Sequence, residues 1–147
     1  MLVRLMYASR AAESVTQETL NAILAKSRTN NPSRGITGVL CSSGRIFLQA
    51  LEGGRMEING LYNRIAADSR HRDVVLLSYE EIEERRFAGW AMGQVSLARI
   101  NPSLLIKYSE TAELDPYAVS GKASMALFNE LIATASIMGQ CSSGRPE

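Results

Sequence analysis

The sequence predicts an α+β fold, a ferredoxin-like βαββαββ sheet with two helices on one face, followed by C-terminal helices. Three observations carry this. Strand-like apolar runs occur at residues 2–9, 35–41, 46–51, 74–79 and 90–97. Two stretches with apolar residues at i, i+3, i+4, i+7 fall between the first and second runs and between the third and fourth. Only a short Ser-Ser-Gly turn separates the second run from the third. Right-handed crossovers then bring both helices to the same face.

In the first strand Val3, Leu5, Tyr7 and Ser9 share one side, and Leu2, Arg4, Met6 and Ala8 the other. Ser14-Val15-Thr16-Gln17 reads as a capping box ahead of Leu20, Ile23, Leu24 and Ser27, an amphipathic stripe. Pro32 disfavours helical geometry at Asn31, which predicts that this helix stops near Asn30. Gly35 to Cys41 and Ile46 to Leu51 form a hairpin turned by Ser42-Ser43-Gly44. Gly53-Gly54 breaks the chain before a second helix whose stripe is Ile58, Leu61, Tyr62 and Ile65. Val74 to Tyr79 is rich in β-branched residues and leucine, which predicts a strand buried on both faces. A charged loop, Glu80 to Arg86, precedes the fifth strand, Trp90 to Leu97. From Asn101 on, Ser103 to Tyr108 suits a short helix. Ser120 suits the cap of a longer one, striped by Ser124, Leu127, Phe128, Leu131 and Ala135. The expected division is a ligand-binding domain over residues 1–97, a helical extension over 98–140 and a disordered tail over 141–147.

The 147 residues suffice for a single core without a disulfide or metal staple. Sixteen basic and fifteen acidic residues leave a net charge of +1 with no basic run, which argues against a nucleic-acid partner. The apolar stretches fall short of a membrane span, and Met1 leads straight into a strand, so no membrane or export segment is expected. Two cysteines, Cys41 and Cys141, and one histidine are too few for a zinc site and fit reduced thiols in the cytoplasm. There is no Walker loop, G-x-G-x-x-G, H-E-x-x-H or C-x-x-C, and His71 has no evident nucleophile beside it.

A few polar residues do not fit a plain core. Gln49 lies in Ile46-Phe47-Leu48-Gln49-Ala50-Leu51, where every other residue is apolar, and a buried amide must find partners. In a ferredoxin-like sheet the first and third strands are adjacent, so Tyr7 and Gln49 can be neighbours beneath the helices. A purely structural hydrogen bond would explain them equally well. Ser27 lies on the first helical stripe, with Ile23 four residues before and Asn31 four residues after. Arg64 and Asp68 are four apart, a spacing that usually means a surface ion pair. Yet Asn30, Asn31, Arg64, Asp68 and His71 gather at the helix ends. There they could ring a slot suited to a flat heteroaromatic ligand with polar edges.

Over residues 2–97 the sequence resembles the BLUF domain. The residues that carry the likeness are Leu5-Met6-Tyr7-Ala8-Ser9, Asn30-Asn31, Gly35-Ile36-Thr37-Gly38-Val39-Leu40, Phe47-Leu48-Gln49-Ala50-Leu51-Glu52-Gly53, Arg64, Asp68-Ser69-Arg70-His71 and Trp90-Ala91-Met92. The resemblance implies FAD held non-covalently between the two helices and a blue-light response rather than turnover of a substrate, so no enzyme. By the same resemblance, Tyr7 would be the electron and proton donor, and Gln49 would bond both Tyr7 and the flavin edge. Asn31 would hold the C4=O/N3 edge with help from Asn30. Arg64, Asp68 and His71 would serve the remaining edge and ribityl side, with Ile23 and Ser27 facing the ring. Trp90 and Met92 would be alternative neighbours of Gln49. Ala91 and Ala50 depart from the common pattern, which has serine and a larger apolar residue there. The tail resembles the extension of short stand-alone members, which implies a separate effector protein and self-association. The rival readings are a light-insensitive ligand-binding module of the same fold, a small flavoenzyme, and a cysteine-adduct photosensor using Cys41.

Overall fold

A computed structural model describes residues 1–13, 16–96 and 100–134. Alanine 135 and the expected tail over 141–147 lie outside the described residues, as do Ser14 and Val15. The elements run β1 (Leu2–Ala11), α1 (Gln17–Arg34), β2 (Thr37–Ser43), β3 (Ile46–Gly54), α2 (Arg55–Ala67), β4 (His71–Ile82), β5 (Gly93–Ser96), α3 (Pro102–Tyr108) and α4 (Gly121–Ala133). The sheet order is β4-β1-β3-β2-β5. All neighbours are antiparallel except β2 and β5, which are parallel. This is the expected ferredoxin-like sheet with a fifth strand at one edge.

The sheet is covered on both sides because its central strands alternate two apolar sets. Val3, Leu5 and Tyr7 of β1 join Leu40, Phe47 and Leu51 beneath α1 and α2, where Leu20, Leu24 and Ile58 complete one core. Met6, Val39, Cys41, Leu48 and Ala50 face the other way, onto Leu105 of α3 and Leu127, Phe128 and Leu131 of α4. The stripe read at the end of the sequence is therefore buried against the sheet. Ser120 caps α4 as expected, its Oγ accepting from Ala123 N at 3.0 Å.

Four local expectations are corrected. First, α1 continues through Pro32 to Arg34. The missing proline N–H costs one bond in the last turn. Gly35, at φ 67°, then closes the helix, with Gly35 N bonding Pro32 O and Ile36 N bonding Asn31 O. The helix N-terminus is capped by Thr16, whose Oγ1 accepts from Thr19 N at 3.1 Å. Second, the hairpin turn is Gly44-Arg45, with Gly44 at φ 59°, while Ser42 and Ser43 belong to β2. Third, β4 is not buried on both faces. It is an edge strand in which Val75, Leu76 and Tyr79 are exposed. Its pairing with β1 shifts register twice, Asp73 has φ 52°, and the Tyr117 hydroxyl donates to Asp73 O at 2.8 Å. Such irregularity protects an edge from pairing with another chain. Fourth, β5 begins only at Gly93, and Trp90 to Met92 form an irregular approach to it.

The charged loop expected from Glu80 starts only after Ile82, where β4 ends, and it is tied down from β3. Glu52, at 0% exposure, takes Arg4 Nε at 2.7 Å, Phe87 N at 2.7 Å and Arg86 N at 2.9 Å. Arg4 also reaches Glu80 at 2.8 Å, and Arg86 Nη1 donates to Asn129 of α4 at 3.0 Å. The end of β3, the loop before β5 and α4 therefore share one polar network.

Candidate flavin site

Between α1 and α2, over the β1–β3 floor, lies a cavity of about 1110 Å³, large enough for a ligand bigger than a simple metabolite. Its floor is set by strand register. Tyr7 and Gln49 are direct cross-strand partners with their side chains on the helix-covered face. The Tyr7 hydroxyl donates to Gln49 Oε1. That orientation turns the amide nitrogen toward Met92, with Nε2 3.2 Å from Sδ. Sulfur is a weak acceptor, so this side of the amide is held loosely.

The other predicted residues are distributed as follows. Ile23, Ser27, Asn30 and Asn31 line one wall, because α1 extends far enough to carry all four on one face. Arg64 and Asp68 line the opposite wall, and His71 closes the end at the start of β4. Apolar Leu40, Phe47, Leu61 and Ile65 fill the space between the polar groups. Asp68 does not pair with Arg64, as the four-residue spacing suggested. It turns back onto Arg70 through a 2.6 Å contact, which frees Arg64 to line the cavity.

Trp90 is the predicted residue that the structure leaves outside. Its carbonyl accepts from Gly38 N at 3.0 Å, and its indole packs against the core on the opposite face of the sheet. Because residues 90–92 bend instead of alternating as a strand, Trp90 and Met92 go to opposite sides, and Met92 is the neighbour of Gln49. The indole Nε1 is buried with no hydrogen-bond partner among the described residues.

Sequence reasoning missed three further residues. Ser9, fully buried, lies 3.0 Å from His71 Nδ1 through its Oγ. Strand alternation puts it on the Tyr7 side of β1, but not against His71. Tyr62 of α2 sits beside Tyr7, ring centroids 5.8 Å apart. Arg28 of α1 reaches Met92 O at 3.1 Å, a contact with no local signature.

The titration behaviour follows from these surroundings. Burial, reinforced by Tyr62, pushes the Tyr7 phenol far above its ordinary range, so it keeps its proton unless oxidised. Hydrogen bonds from Arg70 hold Asp68 below the usual carboxylate range. Burial lowers His71 below its ordinary 6.5, opposed by Asp68 and aided by Arg70. A lowered histidine pKa means that the unfolded chain binds the proton more tightly, so stability rises with pH through this window. The thermal midpoint should therefore fall as pH drops from about 7 to 5, and His71→Gln should flatten that fall. The Asp68 contribution lies in a separate, lower window, being lost as pH falls below about 4. A His71→Gln profile as steep as that of the parent protein would contradict this assignment.

Cys41 is excluded from chemistry here. It lies in the core on the opposite face of the sheet, and burial pushes its thiol up to about 12. The cysteine-adduct reading fails on position alone.

The fold and cavity define a ferredoxin-like domain with a cavity between two helices above a tyrosine–glutamine floor. Residues 2–93 match the BLUF family, sensors of blue-light using FAD, and the chain belongs to that family. The chain is similar to the BlsA photo-activated state, with a TM-score of 0.80, 30% identity and coverage of 90% of this chain and 95% of that one. It is also similar to BlrB, a BLUF protein in its dark state, with a TM-score of 0.75, 32% identity and coverage of 91% and 96%. Photoactivated adenylate cyclase subunit beta of Euglena longa is 35% identical over 92 residues, which make up 62% of this chain and 11% of that protein. The chain thus spans about a tenth of that relative's length.

The residues present fit a flavin. Apolar side chains suit the faces of a fused ring and amides suit its polar edge, and exposed Lys26, Arg34 and Arg70 also line the cavity.

Proposed function

We propose that this chain is a blue-light photoreceptor that holds FAD between α1 and α2 and switches by rearranging the Gln49 side chain. The observation that carries this reading is the buried Tyr7–Gln49 pair on the cavity floor. Bound flavin supplies a blue-light absorber that becomes a strong oxidant when excited. Tyr7 would be the residue that supplies that oxidant with an electron and, through the Gln49 amide, with its phenolic proton, and both would return to Tyr7 afterwards. The atoms are then those of the dark state, but Gln49 has turned or tautomerised. Its weak hold on Met92 Sδ offers little resistance to that change, and turning the amide would exchange the oxygen that Tyr7 bonds for the nitrogen.

Asn31, with Asn30, holds one ring edge; Arg64, Asp68 and His71 serve the other edge and the ribityl chain; Ile23 and Ser27 lie against the ring. The family to which the chain belongs uses FAD, which favours the dinucleotide over riboflavin. No substrate is turned over. Met92 leads directly into β5, so a changed Gln49 biases that strand and the helices packed behind it. The output is a separate effector protein, reached through α3 and α4. The protein self-associates through the same region and works in the cytoplasm. Among the described residues no helix is long and apolar enough to cross a membrane.

Gln49→Leu tests the switch. The variant should bind FAD and show no reversible red shift, because a leucine neither relays the proton nor reorients a dipole. Infrared difference spectra before and after blue illumination provide the check. A normal shift of the flavin carbonyl band in Gln49→Leu would remove the amide from the mechanism.

A further inference from the structure

We propose that Arg28 is a positioning residue of this site, fixing the Ala91–Met92 backbone so that Met92 stays against Gln49. The proposal rests on the photoreceptor reading for its consequence in light, but not for its geometry.

Three consecutive carbonyls in the irregular approach to β5 are each held by a donor from elsewhere. Gly38 N donates to Trp90 O at 3.0 Å, Asn31 Nδ2 to Ala91 O at 2.8 Å, and Arg28 Nε to Met92 O at 3.1 Å. The segment needs such support. It has no strand ladder of its own, and β5 is a four-residue edge strand paired only to β2. An edge strand this short is among the first parts of a sheet to open.

Arg28 and Asn31 are three residues apart on α1, so both reach the same neighbour. They differ in one respect. Asn31 lines the cavity and Arg28 does not. The Asn31 amide can therefore feel the ligand while bonding Ala91. Arg28 is a fixed tie beside it, its guanidinium donating to the Met92 carbonyl. Loss of Arg28 removes no wall of the cavity, yet loosens the residue whose sulfur faces the Gln49 amide.

The test is amide hydrogen exchange in the flavin-loaded protein kept in darkness, comparing wild type, Arg28→Met and Arg28→Lys. Loss of one net hydrogen bond of about average strength should raise exchange at Gly93 to Val95 about five-fold in Arg28→Met. Amides of β1 and β3 should be unchanged. Arg28→Lys, which keeps a donor within reach, should stay within about two-fold of wild type. After blue light, Arg28→Met should also return to its dark spectrum several-fold faster, because a looser segment crosses a lower barrier. Unchanged exchange at Gly93 to Val95, or an equal rise through β1 and β3, would overturn the proposal. A wild-type protein with no light response would defeat the photoreceptor reading and still leave the dark exchange data to decide the role of Arg28.

Discussion

Tyr7→Phe should keep its flavin and lose the red-shifted state, with a fall in photoproduct yield of about two orders of magnitude or more. The phenyl ring preserves the packing against Tyr62 and the apolar floor. The hydroxyl is the donor in the Tyr7–Gln49 bond, and no other described residue donates to Gln49 Oε1 in its place. Burial keeps the phenol protonated, so the proton can leave only with the electron, and phenylalanine has no such proton. The fold should tolerate the change. One buried amide oxygen loses its partner, at a cost of about 1–3 kcal/mol. Steady illumination of the purified variant, followed in the visible region, measures the yield. Red-shifted product at wild-type yield would mean that another residue is the donor.

The largest stability effect should come from Glu52, which takes no part in the photochemistry. Glu52→Ala leaves Arg4, 5% exposed, without its buried partner, and leaves the N–H groups of Arg86 and Phe87 without their acceptor. Breaking a buried pair from one side costs about 3–5 kcal/mol. Arg4 keeps a second partner in Glu80, so the lower end is expected, about 3 kcal/mol and a drop of about 10 °C in melting temperature. Arg4→Met combined with Glu52→Leu should recover only part of this, because the two backbone N–H groups stay unpaired. Thermal unfolding of the three proteins checks the ordering. A Glu52→Ala midpoint within about 2 °C of wild type would show that water replaces the carboxylate in this network.

The parts of the fold that sequence made legible were those written in periodicity. Alternation in β1 and the helical stripes through Leu20 and Ile58 gave the sheet, its two covering helices and the pairing of Tyr7 with Gln49. The stripe through Leu127 and Phe128 gave α4. Where local preference met a tertiary contact, the contact won. Pro32 and Asn31 argue for an early helix end, but Asn31 is buried and bonded to Ala91 O, and Gly35 offers a better stop four residues later. The run Val74–Tyr79 is apolar enough for a central strand, yet nothing in its composition reveals that β4 lies at the sheet edge. The cavity residues were named from anomalies, polar groups on apolar stripes. Arg28, and the contact of Ser9 with His71, escaped because neither residue is anomalous in its own segment. The resemblance left Trp90 and Met92 as alternative neighbours of Gln49, and the bend through residues 90–92, which local sequence does not report, selects Met92.

The measurement that bears most directly on the switch is the visible absorption spectrum of the purified protein before and after brief blue illumination. The expected result is a flavin spectrum that moves slightly to the red and returns in darkness, the signature of a strengthened hydrogen bond at the ring edge with the atoms otherwise unchanged. A flavin spectrum that does not move, or one whose visible bands are lost in light, would contradict a reversible Tyr7–Gln49 switch.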